Sequence, residues 1–252
     1  MDTTLLIRLE GPMQSWGTQS RFSHRDTGHE PSKSGVIGLL CAALGKPREE
    51  ASDDGFPTLK RLNDLVMGVR VDREGRIERD YHTAQNILRA RAKNPDKPTK
   101  GDLKDTELSD RYYLADASFL VGLEGDAGLL ESIEAALRIP AWPLFLGRRA
   151  FPPATPLVPP AFFSGKPWPV LHEVDVITAV KQAPWLKPRR YSPKQLRLVV
   201  DDPSGADVRQ DLPVSFELGL RRRYAARRTR TEFIPVADLP LVIEPEQEKE
   251  AS

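Results

Sequence analysis

A polar segment at residues 10–40, EGPMQSWGTQSRFSHRDTGHEPSKSGVIGLL, combines aromatic, cationic and amide side chains between an apolar run and a predicted helix. Aromatic rings stack on unpaired bases, cations bind phosphates, amides read base edges, and the first N–H groups of a helix favour an anion. The residues that carry this interpretation are Gln14, Ser15, Trp16, Arg21, Arg25, Lys33 and Ser34. The alternative is that Trp16 packs over a sheet while the polar residues form a solvated turn.

Two arginine-bearing segments lie further along the chain. In FLGRRAF, residues 145–151, a glycine lets another backbone come close, and Arg148 and Arg149 can each fork onto a phosphate. The alternative is a pair of surface arginines at the end of a strand. In LGLRRRYAARRTR, residues 218–230, six arginines occur without an acid. On a strand both faces of this run would be basic, which indicates contact with a polyanion.

Residues that could catalyse a reaction are few. Tyr81 and His82 follow Asp80, and a metal-independent ribonuclease needs such a base to deprotonate a 2′-OH. The alternative is a hydrogen-bonding surface histidine at a strand end. One cysteine and four histidines argue against a zinc site. The sequence contains no GxxxxGK[ST] motif, which argues against nucleotide hydrolysis. We expect neither a metal ion nor another cofactor.

The composition bounds the location and the partners. The 252 residues include a single cysteine, Cys41, so no intramolecular disulfide can form, which fits a reducing cytoplasm. No run of about 18 apolar residues predicts a membrane span, and the first residues lack the features of a signal peptide. The net charge of +1 favours no polyanion by itself, whereas the local clustering of arginines does.

The predicted elements that must position these residues follow the order β-α-β-β-α-β. They are a strand at 3–10, a helix at 32–45, a strand, turn and return at 64–79, a strand at 112–125, a helix at 127–139 and a last strand at 143–151. This order predicts an α+β, ferredoxin-like domain, the two-layer sandwich shared by RNA-recognition modules.

An insertion at residues 82–111 interrupts this order. It is polar and lysine-rich and is too long for an ordinary connection, so we interpret it either as disordered or as a functional arm. A helix over 84–92 would place Arg89 with Lys93, and Ile87 with Arg91, on adjacent ridges. Such an arm could lie along a strand of RNA or reach a neighbouring subunit.

The remaining chain divides by composition. Residues 1–151 form the predicted ferredoxin-like domain, and 152–169 are a proline-rich, stiff connector. Short strands at 170–240 predict a smaller, mostly β lobe. The acidic residues 241–252 are expected to be a disordered tail.

Five segments together resemble the CasD family, the RAMP-type subunits of the type I-E CRISPR-associated Cascade surveillance complex. They are LIRLEGPMQSWGTQSRF, EPSKSGVIGLLCAALG, YYLADASFLVGL, LFLGRRAFPPATPL and RRRYAARR, in the same order from residue 3 to residue 235. The resemblance includes the thumb-like insertion.

The resemblance implies a non-catalytic subunit that caps the 5′ handle of the CRISPR RNA between the ferredoxin-like domain and the arm. It also implies contacts with the terminal subunit of the backbone filament and with the large subunit, and it leaves open a contact with target DNA near the protospacer-adjacent motif. The first family motif matches Gln14, Trp16, Arg21, Lys33 and Ser34, and the glycine–arginine turn matches Arg148 and Arg149.

Two other functions stay open at this point. A relative in another subtype cleaves repeat RNA with tyrosine, lysine and histidine, so a repeat-processing endoribonuclease that uses Tyr81 and His82 is the alternative. A weaker hypothesis is a free-standing RNA-binding module with no role in an assembly.

Overall fold

The elements of the chain are taken from a computed structural model, which describes residues 3–18, 23–49, 55–88, 103–158, 162–163, 166–167, 169–187, 193–217 and 222–243. The helices are α1 (Lys33–Leu44), α2 (Leu59–Asn63), α3 (Ala127–Arg138) and α4 (Val176–Gln182), with a short 3-10 helix at Val236–Asp238. The strands are β1 (Thr3–Glu10), β2 (Met13–Gln14), β3 (His24–Arg25), β4 (Val66–Arg73), β5 (Arg76–Leu88), β6 (Leu103–Ala115), β7 (Ser118–Gly125), β8 (Phe162–Phe163), β9 (Lys166–Pro167), β10 (Leu171–His172), β11 (Trp185–Lys187), β12 (Gln195–Asp201), β13 (Asp207–Ser215), β14 (Arg223–Pro235) and β15 (Leu241–Ile243).

A seven-stranded sheet in the order β10-β1-β7-β4-β12-β14-β13 organises the described chain. Each neighbouring pair in it is antiparallel. β1 pairs along its full length with β7, from Thr3 opposite Gly125 to Glu10 opposite Ser118. The chain is therefore a mixed α and β protein with a mainly antiparallel sheet.

Both faces of β1 are buried, which explains why its sequence is apolar at nearly every position. Leu5, Ile7 and Leu9 join a core that also contains residues of α1 and α3. Leu6 points to the other face and joins a second core with residues of α4. The sheet is thus covered by helices on two sides, and α1 and α3 lie on the same side.

The two long helices begin and end close to where their caps predict. The hydroxyl of Ser32 accepts a hydrogen bond from the N–H of Gly35 and begins α1, and Gly45 ends it with a φ of 74°. The carboxylate of Asp126 accepts from the N–H of Leu129 and begins α3. The predicted helices at 32–45 and 127–139 are confirmed.

The insertion begins and ends as a long hairpin. β5 and β6 pair in antiparallel register from Arg76 opposite Ala115 to Leu88 opposite Leu103. The predicted helix over 84–92 is wrong for residues 84–88, which belong to β5, because cross-strand pairing outweighs a weak local helical pattern. Residues 89–102 lie outside the described chain.

The last predicted strand, 143–151, is wrong. This segment is an irregular turn in which Gly147 has a φ of 91° and the N–H of Leu146 donates to the carbonyl of Phe151. A residue in this conformation interrupts an extended strand. The place beside β1 is taken by β10, which pairs Thr4 with His172.

The short strands expected at 170–240 extend the main sheet as β10, β12, β13 and β14. The strand expected at residues 174–180 is wrong, because most of this segment forms α4, which the side chain of Asp175 caps. β12 pairs with β4, and β14 and β13 follow it, so residues 195–235 share one sheet with β1. The sequence does not show this pairing, because it joins strands more than a hundred residues apart. The boundaries at residues 151 and 169 stay predictions, and the tail beyond residue 243 lies outside the described residues.

Membrane insertion finds no support in the helices that the structure describes, since none of them is both long enough and apolar enough to span a bilayer.

A buried arginine locks α4 onto the sheet. Arg70 on β4 is fully buried, its Nε donates to Asp72 at 2.7 Å, and Nη1 donates to the carbonyls of Val180 and Ala183 at 2.6 and 2.7 Å. Arg70 thus donates to both carbonyls at the end of α4 and shares the charge of Asp72 with Arg8, whose Nη1 lies 3.2 Å from Asp72.

Replacing Arg70 with methionine should lower the free energy of unfolding by about 3–5 kcal/mol, because the buried Asp72 loses its nearest cation. Urea denaturation measures this change. The matched control is Lys60→Met, which removes an exposed partner of Asp64 and should change stability by at most about 1 kcal/mol. Equal urea midpoints for Arg70→Met and the unmodified chain would contradict the assigned role of Arg70.

Candidate nucleic-acid interface

Three arginines from separate segments converge on one cavity. Arg25 on β3 lies opposite Arg111 on β6 in a parallel pairing, and Arg148 lies in the turn after α3. Together with Ser15, Gly17, Asp26 and Gly147 they line a cavity of about 360 Å³. We call Arg25, Arg111 and Arg148 the arginine cluster.

Arg148 is held in place by its surroundings. Its Nη2 donates to the carbonyl of Tyr112 at 2.8 Å and to that of Arg25 at 3.4 Å. Its guanidinium lies 5.5 Å from the centre of the Phe151 ring, a cation–π distance. The orientation of this cation is therefore fixed before any ligand arrives.

The surroundings of Arg148 disfavour its charged form. Burial lowers the pKa of Arg148, and the neighbouring charge of Arg111 lowers this pKa further, against the opposing effect of Asp80. Arg25 adds to the same repulsion. A bound phosphate would remove this penalty, since an opposite charge favours the charged form of the arginine.

Gly147 brings the turn against the segment that follows β2. A Cβ at this position would overlap the carbonyl oxygen of Ser15, and the φ of 91° also favours glycine. The N–H of Ser15 donates to the carbonyl of Leu146 at 3.0 Å. This contact explains why the glycine–arginine turn and the loop at residues 15–17, far apart in sequence, share one cavity.

Two residues expected at an RNA surface belong to the interior. Trp16 is 2% exposed, lies against Gly35 of α1 and donates from its indole N–H to Gln14 at 3.2 Å. Gln14 is fully buried and donates to the carbonyls of Leu9 and Ala117. The packing alternative for Trp16 is the one that the structure favours.

Lys33 is also engaged inside the fold. It is 4% exposed, and its Nζ donates to Asp201 and to the carbonyl of Leu65, both at 2.7 Å. Ser34 is half-buried and lines a cavity next to the arginine cluster, and Arg149 is exposed. Arg21, Arg89 and Arg91 lie outside the described residues.

The arginine run near the C-terminus divides into two groups. Arg227 donates to Asp211 at 2.7 and 2.9 Å and also binds Asp201, so it serves the fold. Arg230 pairs with Asp202 and with Glu232. Arg222 and Arg223 are exposed and line cavities beside α1. The expectation of two basic faces therefore holds only at the start of β14.

The candidate acid–base pair lies at the base of the arm. His82 Nδ1 is 3.5 Å from Asp80, and both side chains lie on the same face of β5. Arg111 of β6, which lies opposite Asp80 in the pairing, is on that face too. Tyr81 is 60% exposed and points to the opposite face. The structure brings His82 towards the cluster and leaves Tyr81 out.

Sequence reasoning missed Arg111 and a pair of rings. The rings of His24 and Tyr112 lie 5.0 Å apart at 46°, directly beside the β3–β6 pairing. Because residues 24 and 112 are distant in sequence, no local pattern reveals this contact. The position of Arg111 at the end of an insertion already marked as functional was the one available signal.

The described side chains contain no group of three or more histidine, cysteine, aspartate or glutamate residues arranged to hold a metal ion. The chemistry that the described site supports is recognition of an anion by fixed cations.

An ion-pair network anchors the segment that joins β3 to α1. Glu30 accepts from Arg197 on β12 at 2.6 Å and from Arg209 on β13, and Arg197 also binds Glu74. Burial alone would raise the pKa of Glu30, but the hydrogen bond and charge of Arg197, with those of Arg209, lower it. The network thus holds the loop that carries Arg25 against the C-terminal strands.

Comparison with solved structures identifies the class to which this fold belongs. A structure described as "Crystal structure of Cas protein" aligns with a TM-score of 0.67 at 38% identity, over 94% of this chain and 97% of that one. A chain of a "CRISPR RNA-guided surveillance complex" aligns with a TM-score of 0.70 at 31% identity, over 97% and 95% of the two chains.

The family follows from the sequence comparisons. Residues 4–230 match the family described as CRISPR-associated protein (Cas_Cas5), and the chain belongs to this family. It is also 36% identical over 171 residues to "CRISPR system Cascade subunit CasD" of Escherichia coli (strain K12), which covers 62% of this chain and 70% of the relative. The resemblance noted from the sequence is confirmed.

Glu30 should make the chain less stable in acid. Its lowered pKa contributes stability that is present above its ordinary value of 4.5 and is lost as the pH falls through the lowered value. Glu30→Gln should therefore cost about 3 kcal/mol near neutral pH and progressively less below pH 4.5, where the carboxylate of the unfolded chain takes up a proton. The difference disappears once the pH has also fallen through the lowered pKa of the folded chain.

Urea midpoints measured across the acid range test this dependence. Glu78→Gln, which alters an exposed carboxylate of the arm, is the control and should follow the unmodified chain. A Glu30→Gln deficit that stays constant with pH would show that the charge of Glu30 does not stabilise the fold.

Proposed function

We propose that this chain is a non-catalytic CRISPR RNA-binding subunit of a type I-E Cascade complex, and that the arginine cluster contacts the 5′ handle of the RNA. The observation that carries the proposal is the convergence of Arg25, Arg111 and Arg148 on one cavity, where a phosphate would balance their like charges. The similar chains in a surveillance complex and in Cascade support it.

The proposal includes a ferredoxin-like core. In chain order β1, α1, β4, β7, α3 and β10 follow the β-α-β-β-α-β pattern, with β10 in the place that was predicted for residues 143–151. The β5–β6 hairpin rises between β4 and β7 as the arm. The cluster lies where this arm meets the loop after β2, so RNA would pass between arm and sheet.

The subunit would join two neighbours. Capping one end of the RNA places it beside the last subunit of the backbone filament, and the proposal extends to the large subunit and to target DNA near the protospacer-adjacent motif. A cytoplasmic location is part of the same proposal. Each of these contacts comes from the resemblance, and the arginine cluster supports only the contact with nucleic acid.

Cleavage of repeat RNA has one observation in its favour, the 3.5 Å approach of His82 to Asp80 on the face that carries Arg111. A transphosphorylation also needs an acid or a cation at the leaving group. Arg111 is a cation on that face, whereas Tyr81 is on the other face, so only one of the two expected catalytic side chains lies on the face of Arg111. Binding without cleavage is the proposal that the similarity to CasD supports.

Removal of two cations tests the binding site. Arg148→Ala with Arg149→Ala should weaken binding of handle-containing RNA at least about tenfold, because charged hydrogen bonds contribute about 1.5–3 kcal/mol each. The dependence of log affinity on log salt should fall by about 0.7 for each lost phosphate contact. Fluorescence anisotropy at several salt concentrations measures both quantities.

The matched control removes two exposed arginines that already have carboxylate partners. Arg61 pairs with Asp126 and Arg138 with Glu134, so the double alanine variant makes the same change in net charge away from the cluster. If both double variants bound RNA with the same affinity, the assignment of the glycine–arginine turn would be wrong.

Incubation with repeat RNA in the presence of a chelator should leave the RNA intact. A denaturing gel with an alkaline ladder detects any defined product. A single cut that His82→Ala abolishes, and that Tyr81→Phe leaves unchanged, would replace the binding proposal with an endoribonuclease.

A further inference from the structure

Four cavities adjoin one another along α1. The cavity of the arginine cluster, about 360 Å³, shares Arg25 with a second cavity of about 330 Å³. The second shares Arg222 with a third of about 350 Å³, and the third shares Arg48 with a fourth of about 470 Å³. Each cavity thus shares lining residues with the next, and we call the continuous row of four cavities the α1 groove.

The α1 groove is strongly basic. Among the described residues that line it, eight are cationic, of which Lys46 is only 4% exposed, and two are acidic. The cations are Arg25, Lys46, Arg48, Arg111, Arg148, Arg149, Arg222 and Arg223, and the acids are Asp26 and Glu217. A protein with a net charge of +1 concentrates these cations along one path, as contact with an extended polyanion requires.

Exposed rings alternate with these cations. Trp142, which is 46% exposed, and Tyr224, which is 41% exposed, line the third cavity beside Arg149 and Arg222. Large exposed rings are costly in water, and on a basic groove they provide platforms on which unpaired bases stack. An acidic peptide would explain the cations but not the exposed rings between them.

The helix side of the groove presents little bulk. Gly35 and Gly38 of α1 line the third cavity, where they add no side chain between the rings and the helix. A Cβ at Gly38 would lie 3.8 Å from the Phe216 ring, an ordinary contact, so the packing does not require glycine there. The small residues keep this part of the groove open, with room for a base.

We propose that the α1 groove holds a second stretch of single-stranded RNA, continuous with the part bound at the arginine cluster. The inference rests on the proposed function and adds a path: the strand leaves Arg148, passes Ser34 and stacks at Tyr224 and Trp142. Arg48 and Arg223 bind phosphates at the far end.

Two synthetic RNAs of different length test this path. Both carry the same handle sequence from the CRISPR repeat, and they measure about 4 and about 12 nucleotides, the range of site sizes on single-strand-binding surfaces. Arg222→Ala with Tyr224→Ala should weaken binding of the longer RNA about tenfold and leave the shorter RNA unaffected. The salt dependence for the longer RNA should fall by about 0.7.

The control removes a cation and a ring of β14 that lie outside the groove. Arg228 and Phe233 of β14 are both exposed, and the double alanine variant should bind both RNAs normally. Urea midpoints confirm that each variant is folded. Arg222→Gln alone provides a milder change if the double variant is unstable, and it should give the same length-dependent loss to a smaller extent.

The outcomes separate this inference from the proposed function. If Arg148→Ala with Arg149→Ala weakens both RNAs while the Arg222 and Tyr224 variant weakens neither, the groove inference is overturned and the proposed function stands. If the unmodified chain binds neither RNA, both fail. If the Arg222 and Tyr224 variant binds RNA normally but no longer co-purifies with co-expressed Cascade subunits, the groove is a protein interface and the inference is again overturned.

Discussion

The fold depends on a charge-balanced ion cluster at the start of α1. The N–H of Lys33 donates to Asp211 at 2.9 Å, its Nζ donates to Asp201 at 2.7 Å, and Arg227 binds both carboxylates. Two cations and two anions from α1, β12, β13 and β14 thus neutralise each other, as burial of charge demands. This cluster ties the first helix to the three C-terminal strands that extend the sheet.

The same constraint separates cations that stabilise the chain from cations that face solvent. Where arginines are buried, as at Arg70 and Arg227, carboxylates lie within hydrogen-bonding distance. Where they line the α1 groove, cations outnumber acids, and like charges lower the pKa of Arg148. A basic segment of the sequence therefore indicates a binding surface only through those cations that are not already paired with carboxylates of the fold. The fold holds the remaining cations in fixed positions close to one another.

Much of the architecture was predictable because it is encoded locally. The caps Ser32 and Gly45 define α1, and Asp126 begins α3. The apolar pattern of β1 and β7 identifies the central strands, since residues buried on both faces read as apolar runs. The family motifs also identified the glycine–arginine turn, whose Arg148 lies in the cavity with Arg25.

What the sequence determined by itself is the two long helices, the central strands, the family and the presence of clustered arginines, because each depends on neighbouring residues. Only the tertiary structure decided that Trp16 and Lys33 are buried, that Arg111 joins Arg25, and that β10 pairs with β1. These outcomes depend on contacts between residues far apart in the chain. A ligand can reach only the side chains that are not used in such contacts. Local sequence patterns do not show which side chains these are.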